Sequence, residues 1–185
     1  MDKKILTSVT GALQDGKVVV FPTDTVYGLL ADATNKKAVW KLYQIKKRSQ
    51  SKAIPLFLRS ISAVKKIALV DRRQERYIKK YWPGRTTFVL KRKKFFLYGV
   101  DRDTVALRIP KFPPLQRLLR SLSFPLTATS ANISNNPPAR SMKEAIRQFQ
   151  SKKQKPDVFV DGGLLKGKPS TIIDLTYNPP KILRK

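Results

Sequence analysis

Four apolar residues in a row, Val18–Phe21, are followed by Pro22 and then by Thr23, Asp24 and Thr25, with Tyr27 and Gly28 close behind. An apolar run ended by proline reads as a strand buried on both faces, whose ladder stops where the polar side chains begin. Ahead of it, Ile5–Leu13 reads as a short helix ending near Gly16. Behind it, Asn35 caps a helix over Lys36–Arg48, because Val39, Leu42, Tyr43 and Ile45 fall largely on one face. Ile54–Leu58 is a second strand. Ser60 caps a helix over Ile61–Leu69, and Asp71 starts another that ends before Pro83-Gly84. Thr86–Leu90 and Thr104–Ile109 are rich in strand formers. Pro113–Leu122 reads as a helix with proline in its first turn, and Leu126–Ser130 as a short strand. Ser141 and Glu144 form a capping box for a helix over Met142–Gln150. Val158–Val160 and Thr171–Leu175 complete the set. Strands and helices interleave, often with several strands between helices, which predicts an α/β or α+β sheet covered by helices, with some antiparallel pairing. No repeat or low-complexity linker interrupts the pattern, so residues 1–185 are read as a single domain.

Composition sharpens this picture. Hydrophobic residues make up 41% and charged residues 28%, a globular balance. Lys and Arg number 39 against 12 Asp and Glu, for a net charge of +27. Solubility needs far less. The excess predicts a polyanionic partner, nucleic acid first and an anionic membrane surface second, although a general lysine bias also contributes. There are no cysteines, which excludes disulfides, thiolate metal sites and thiol nucleophiles, and no histidines, which removes the usual general base. The polar N-terminus and the absence of a membrane-length apolar run point to a soluble, cytoplasmic chain with no membrane partner.

Three stretches carry candidate chemistry. In "QIKKRSQSKAIPL", Gln44–Leu56, the residues Lys46, Arg48 and Lys52 sit where a helix gives way to a loop and a strand. Cations at a helix C-terminus need no function, but the same groups suit a phosphate clamp: arginine offers a planar fork of donors and lysine a mobile point charge. In "LTATSANISNNPPAR", Leu126–Arg140, short polar residues follow an apolar segment. This is either an ordinary turn or a wall from which Ser130 and Asn132 bond a nucleotide. In "DTVALRIP", Asp103–Pro110, alternation puts Arg108 opposite Val105, Leu107 and Ile109. It is therefore either solvent-facing or placed to grip a carboxylate. "DGGLLKGKPST", Asp161–Thr171, lacks the spacing of a P-loop, and no dinucleotide fingerprint, metal cluster or nucleophile elbow is present.

Taken together, "FPTDTVYGL", "KKR…AIPL", "WPG", "VALRIP", "TSAN" and "STIIDL…ILR" occur in the order and approximate spacing of the threonylcarbamoyl-AMP synthases, and the chain resembles that YrdC-like family from about Gly16 to Arg184, in its short form. The resemblance implies a twisted mixed sheet covered by helices around a large basic concave cleft. It implies a nucleotidyltransferase that converts L-threonine, bicarbonate and ATP into L-threonylcarbamoyladenylate and pyrophosphate. Mg²⁺ would be held mainly by the ATP phosphates. A threonylcarbamoyl-transferase complex would then modify an adenosine beside the anticodon of tRNA.

By the same resemblance, Lys46 and Arg48 are catalytic and bind ATP together with Lys52, Thr104, Ala128, Ser130, Asn132 and Arg184. Thr25, Arg108, Ser170 and Arg59 fall at threonine-site positions. Three departures stand out: Ser49 where many relatives have proline, with a longer loop to Pro55; Arg59 in place of a common histidine; and "WPGRTT" in place of "WPGPLT". Asp24 is read as capping its own turn rather than holding a substrate ammonium. One rival is a non-catalytic module binding double-stranded RNA or tRNA through Lys65, Lys66, Arg72, Arg73, Lys79, Lys80 and the run Lys91–Lys94. A second is a carbamoyl-transfer domain of hydrogenase maturation, whose fused zinc modules this cysteine-free chain lacks.

Overall fold

A computed structural model describes all residues, Met1–Lys185. In chain order it runs α1 (Lys3–Gln14), β1 (Val19–Phe21), β2 (Gly28–Leu30), α2 (Lys36–Lys46), β3 (Leu56–Phe57), α3 (Ile61–Ile67), α4 (Arg72–Tyr81), β4 (Thr86–Lys91), β5 (Thr104–Arg108), α5 (Pro113–Arg120), β6 (Leu126–Thr127), β7 (Thr129–Ser130), α6 (Met142–Phe149), β8 (Val158–Phe159), β9 (Thr171–Asp174) and β10 (Lys181–Arg184). No helix is long and apolar enough to cross a membrane.

The expected mixed α/β architecture is present, but the strands form two sheets rather than one. One has the order β7-β2-β1-β8, the other β10-β9-β4-β5-β3-β6, and each mixes parallel and antiparallel pairs. The division falls inside Leu126–Ser130, which the sequence pattern presents as a single strand. Leu126–Thr127 pairs with β3, Thr129–Ser130 pairs with β2, and the Ala128 amide between them donates to the Pro55 carbonyl at 2.7 Å. Thr127 joins the sheets: its hydroxyl accepts from the Ala31 amide at 2.9 Å and donates to the Leu29 carbonyl at 3.1 Å. A side chain thus supplies bonds that a continuous ladder would have made.

Three apolar clusters flank these sheets. Alternation along Val18–Phe21 sends Val18 and Val20 to the cluster holding Val39, Leu42 and Phe149, and Val19 and Phe21 to the cluster of Val9, Leu115 and Leu118. The strand is buried on both faces, as its unbroken apolar run predicts. The third cluster packs Val64, Ile67 and Ile78 against Phe88, Val105 and Leu107.

The helix starts follow the expected caps. Asn35, Ser60, Asp71 and Ser141 each accept a backbone N–H in the first turn that follows. The capping box expected at Ser141 is shifted, because the Glu144 carboxylate accepts from the Arg140 amide at 2.7 Å. A complete box instead forms at Asp71 with Gln74. Helix α2 stops at Lys46, two residues short of the expected end, because Lys47 adopts the left-handed conformation with φ 47°.

Candidate active site

A cavity of about 510 Å³ opens where the two sheets meet, within the range of small-molecule sites. Its walls are the turn after β1, the end of α2 with its loop, the cleft face of β5, the crossing segment Ala128–Asn132, and Ser170 with Arg184. Six cations line it, Lys46, Lys47, Arg48, Lys52, Arg108 and Arg184, and no carboxylate does. Arg108 is paired with Asp24 behind the wall, and the other five have no acid partner. Such a wall favours a polyanion carrying several charges close together.

Of the residues singled out from sequence, Lys46, Arg48, Lys52, Ala128, Ser130, Asn132, Arg184, Thr25, Arg108 and Ser170 all line this cavity. Two do not. Arg59 donates to the Leu122 carbonyl at 3.3 Å, just past α5, and lines a separate groove with Trp82 and Phe112. The Thr104 hydroxyl donates to the Asp101 carboxylate at 3.0 Å and completes the turn that opens β5. It sits one strand repeat before Ala106, which is the first residue of β5 to reach the cavity.

Lys46 is only 2% exposed. Its ammonium donates to the carbonyls of Ser130 at 2.7 Å and Asn132 at 2.9 Å, and to Asn132 Oδ1 at 3.1 Å. An ammonium has three N–H groups, so every donor is engaged. Burial first, and then the nearby Arg48 charge, push the lysine down to about 7. Ser130 donates to Asn132 Oδ1 at 2.6 Å, and Asn132 Nδ2 donates to the carbonyls of Ile133 and Asn136. The serine and asparagine expected to face a nucleotide therefore bind each other and Lys46. Together they fix the crossing segment as one hydrogen-bonded unit against the end of α2.

Arg48 lies half-exposed at the rim. Its Nε donates to the Lys52 carbonyl at 3.2 Å and its Nη2 to the Ala53 carbonyl at 3.0 Å. One edge of the guanidinium ties down the loop, and the Nη1 end remains for a ligand. Between these two residues, Lys47 departs from helical geometry where glycine is the usual occupant. Lys47→Gly is expected to raise the unfolding midpoint by about 2–4 °C, the equivalent of about 1 kcal/mol for a chain of this size, as read by thermal denaturation. An unchanged or lower midpoint would show that the left-handed turn carries no strain.

On the opposite wall, Thr25 is buried and its hydroxyl contacts that of Thr23 at 2.9 Å. Thr23, not Asp24, closes the turn: its Oγ1 accepts from the Thr25 amide and donates to the Val26 carbonyl. The Asp24 carboxylate instead bonds Arg108 Nη2 and the Lys111 amide, far along the chain. Arg108 also donates through Nε to the Gly84 carbonyl at 2.9 Å, and its guanidinium carbon lies 5.5 Å from the centre of the Phe57 ring. Ser170 meets Thr87 at 3.0 Å and receives Arg184 through its carbonyl and hydroxyl. Thr23 and Lys47 also line the cavity, although neither is marked as a site residue by the sequence. The polar cluster behind Pro22 is the available signal for the first; a lysine past a helix end gives none for the second.

The alternative basic surface lies elsewhere. Lys65 and Lys79 both pair with Glu75, Arg73 donates to the carbonyls of Leu175 and Tyr177, and none of these residues lines the cavity.

Comparison with known proteins gives matches over nearly the whole chain. The family model Sua5/yciO/yrdC, described as telomere recombination, matches residues 11–185. Threonylcarbamoyl-AMP synthase of Pyrococcus abyssi is 34% identical over 178 residues, covering 94% of this chain and 52% of that protein. The crystal structure of P. abyssi Sua5 complexed with L-threonine superposes with a TM-score of 0.89 at 32% identity, over all of this chain and 54% of that one. The present chain thus spans about half the length of that relative. The Escherichia coli YciO structure also superposes with a TM-score of 0.89, at 29% identity, over all of this chain and 90% of that one.

Proposed function

The chain belongs to the Sua5/YciO/YrdC family, and from that premise we propose that it is a threonylcarbamoyl-AMP synthase, making L-threonylcarbamoyladenylate and pyrophosphate from L-threonine, bicarbonate and ATP. Residues 1–185 act in this reading as a single YrdC-like domain in the cytoplasm. A threonylcarbamoyl-transferase complex receives the product for N6-threonylcarbamoyladenosine formation on tRNA. The observation that carries the proposal is one cavity in which a wall of cations faces a hydroxyl- and arginine-lined nook at Thr25, Arg108 and Ser170.

The chemistry asks for little else. The threonine amine condenses with bicarbonate, its new N–C bond forming as a C–O bond of bicarbonate breaks and water leaves. An oxygen of the resulting carbamate then attacks the α-phosphorus of ATP. The new P–O bond forms as the bond to pyrophosphate breaks. Such a transfer needs in-line alignment and neutralised phosphates rather than a side-chain nucleophile, so a chain without histidine or cysteine suffices. Arg48 and Lys52 meet the triphosphate directly. Lys46 adds its charge from behind while holding the Ser130–Asn132 wall in place. Mg²⁺ arrives with the triphosphate, since the cavity offers no carboxylate to hold it. Thr25 bonds the amino-acid hydroxyl and Arg108 its carboxylate. Such a site discriminates strongly, because an analogue lacking the hydroxyl leaves buried polar groups unpaired.

The test is purified protein with ATP, bicarbonate and each amino acid in turn, with pyrophosphate and the adenylate followed. Threonine-dependent pyrophosphate release is expected. Its absence, with RNA binding retained, would replace this reading by the binding-module one.

Lys46 gives the reaction a pH signature. Burial and the Arg48 charge push the lysine down to about 7. A neighbouring triphosphate favours the charged form and raises that value. ATP binding above pH 7 therefore takes up a proton, and apparent affinity falls as pH rises, by up to about tenfold per pH unit. Calorimetry in buffers of different ionisation enthalpy should show the uptake in the wild type and none in Lys46→Met.

A further inference from the structure

We propose that Asp24 is a positioning residue for the amino-acid subsite: it fixes the guanidinium of Arg108 so that one edge only is presented to the substrate carboxylate. The inference rests on the reading of Arg108 given above and deepens it. It starts from the pairing itself. Arg108 and Asp24 lie 84 residues apart in sequence, and their side chains are 4% and 6% exposed. A buried guanidinium with no partner would be strongly unfavourable, and Asp24 supplies the compensating charge while the cavity holds no ligand.

Geometry assigns the pair more than neutralisation. A guanidinium carries five N–H groups in a fixed plane. On Arg108 the Nε–H is taken by the Gly84 carbonyl and one Nη2 N–H by Asp24 Oδ1. The second Asp24 oxygen accepts from the Lys111 amide at 3.1 Å, so the carboxylate is itself held at both ends. Nη1 makes one loose contact, to Thr25 Oγ1 at 3.4 Å. That contact points toward the threonine of the nook. Two adjacent N–H vectors, one each from Nη1 and Nη2, are thereby left for a bidentate grip on a carboxylate.

Asp24 need not be displaced by the substrate, because its contact takes one Nη2 N–H and leaves an N–H on each terminal nitrogen. With substrate bound, the arginine faces two negative groups. Arg85 and Arg184 lie close enough for their charges to act on Arg108, so the surroundings of the pair stay cationic.

The experiment compares wild type, Asp24→Asn and Asp24→Glu. L-threonine and L-threoninamide binding are measured by calorimetry, and the Arg108 Nε–H by ¹⁵N NMR. In the wild type a slowly exchanging Arg108 signal is expected, with threonine bound far more tightly than its amide. In Asp24→Asn the signal should broaden or vanish, threonine affinity should fall at least tenfold, and the preference for carboxylate over amide should shrink by a similar factor. ATP affinity should stay within about threefold, which a general loss of structure would not allow. Asp24→Glu, which keeps the charge, should recover part of the preference; it also carries the test if the asparagine variant does not fold.

Unchanged threonine preference in Asp24→Asn overturns the proposal. So does tighter threonine binding, which would make Asp24 a competitor for the arginine. If the wild type binds neither amino acid, the threonine reading of the site has failed, and with it the subsite role; the NMR comparison then still reports whether Asp24 holds Arg108.

Discussion

Lys46→Met is expected to lower kcat/KM for ATP by about 10³-fold, a loss of about 4 kcal/mol of transition-state stabilisation. Methionine matches the length of the lysine stem but removes both the charge and the three hydrogen bonds to Ser130 and Asn132. Two consequences for the fold oppose each other. Three acceptors lose a donor, at about 1 kcal/mol each. Against that, a charge no longer has to be held away from water at a site where burial pushes the lysine down to about 7. The terms are of similar size, so the unfolding midpoint should move by only a few degrees while activity collapses. Steady-state kinetics beside thermal denaturation decides the matter. Activity within tenfold of wild type would show that the cation behind the wall contributes little. Lys46→Arg should fail nearly as badly, since a planar fork does not fit three acceptors arranged around one ammonium.

How far such a site is legible in the sequence depends on the length scale of the interaction. The unbroken run Val18–Phe21 announces a strand buried on both faces, and the chain splits its side chains between two apolar clusters accordingly. The alternation Val105, Leu107 against Ala106, Arg108 correctly puts the arginine on the face away from the core. Helix caps are readable because a cap is a matter of three or four residues. What stays hidden involves either very short elements or distant partners. Gly28–Leu30 is a three-residue strand with too few positions to display a period, and Lys181–Arg184 is exposed along its whole length, so no apolar face marks it.

The step at Ala128 divides five residues between two sheets, and nothing local distinguishes that from one strand. Asp24 reads as a turn cap because Asp after Pro-Thr commonly is one; its true partner lies 84 residues away. Family motifs bring most of the cleft residues together in advance. Arg59 and Thr104 lie outside the cavity, their side chains bonded to Leu122 and Asp101.

Arg48→Ala separates chemistry from folding more cleanly than any change at Lys46. The side chain sits at the rim, and its two hydrogen bonds go to the carbonyls of Lys52 and Ala53, both within its own loop. Removing them frees carbonyls that water can reach, so stability should change by about 1 kcal/mol or less. The catalytic loss should be much larger. In the proposed reaction, in-line attack at the α-phosphorus builds charge on oxygens that Arg48 would meet through Nη1, the end not tied to the loop. Such a contact strengthens as the transition state forms. Turnover should therefore fall by about 10²–10³-fold, with the KM for threonine little altered, because Thr25 and Arg108 lie on the other wall. The loop adds a second reading of the same variant. With that tether gone, Lys52 is held only by the Tyr43 hydroxyl on its carbonyl and by the hydrogen bond from its amide to Ser49, and its base loosens. A lysine side chain in place of the arginine restores the charge but not the two-carbonyl tether that holds the loop. Arg48→Lys is thus expected to fall between wild type and Arg48→Ala in turnover. Turnover within a factor of two in Arg48→Ala, worth under about 0.5 kcal/mol of barrier, would remove Arg48 from the clamp and leave Lys52 to act on the triphosphate alone.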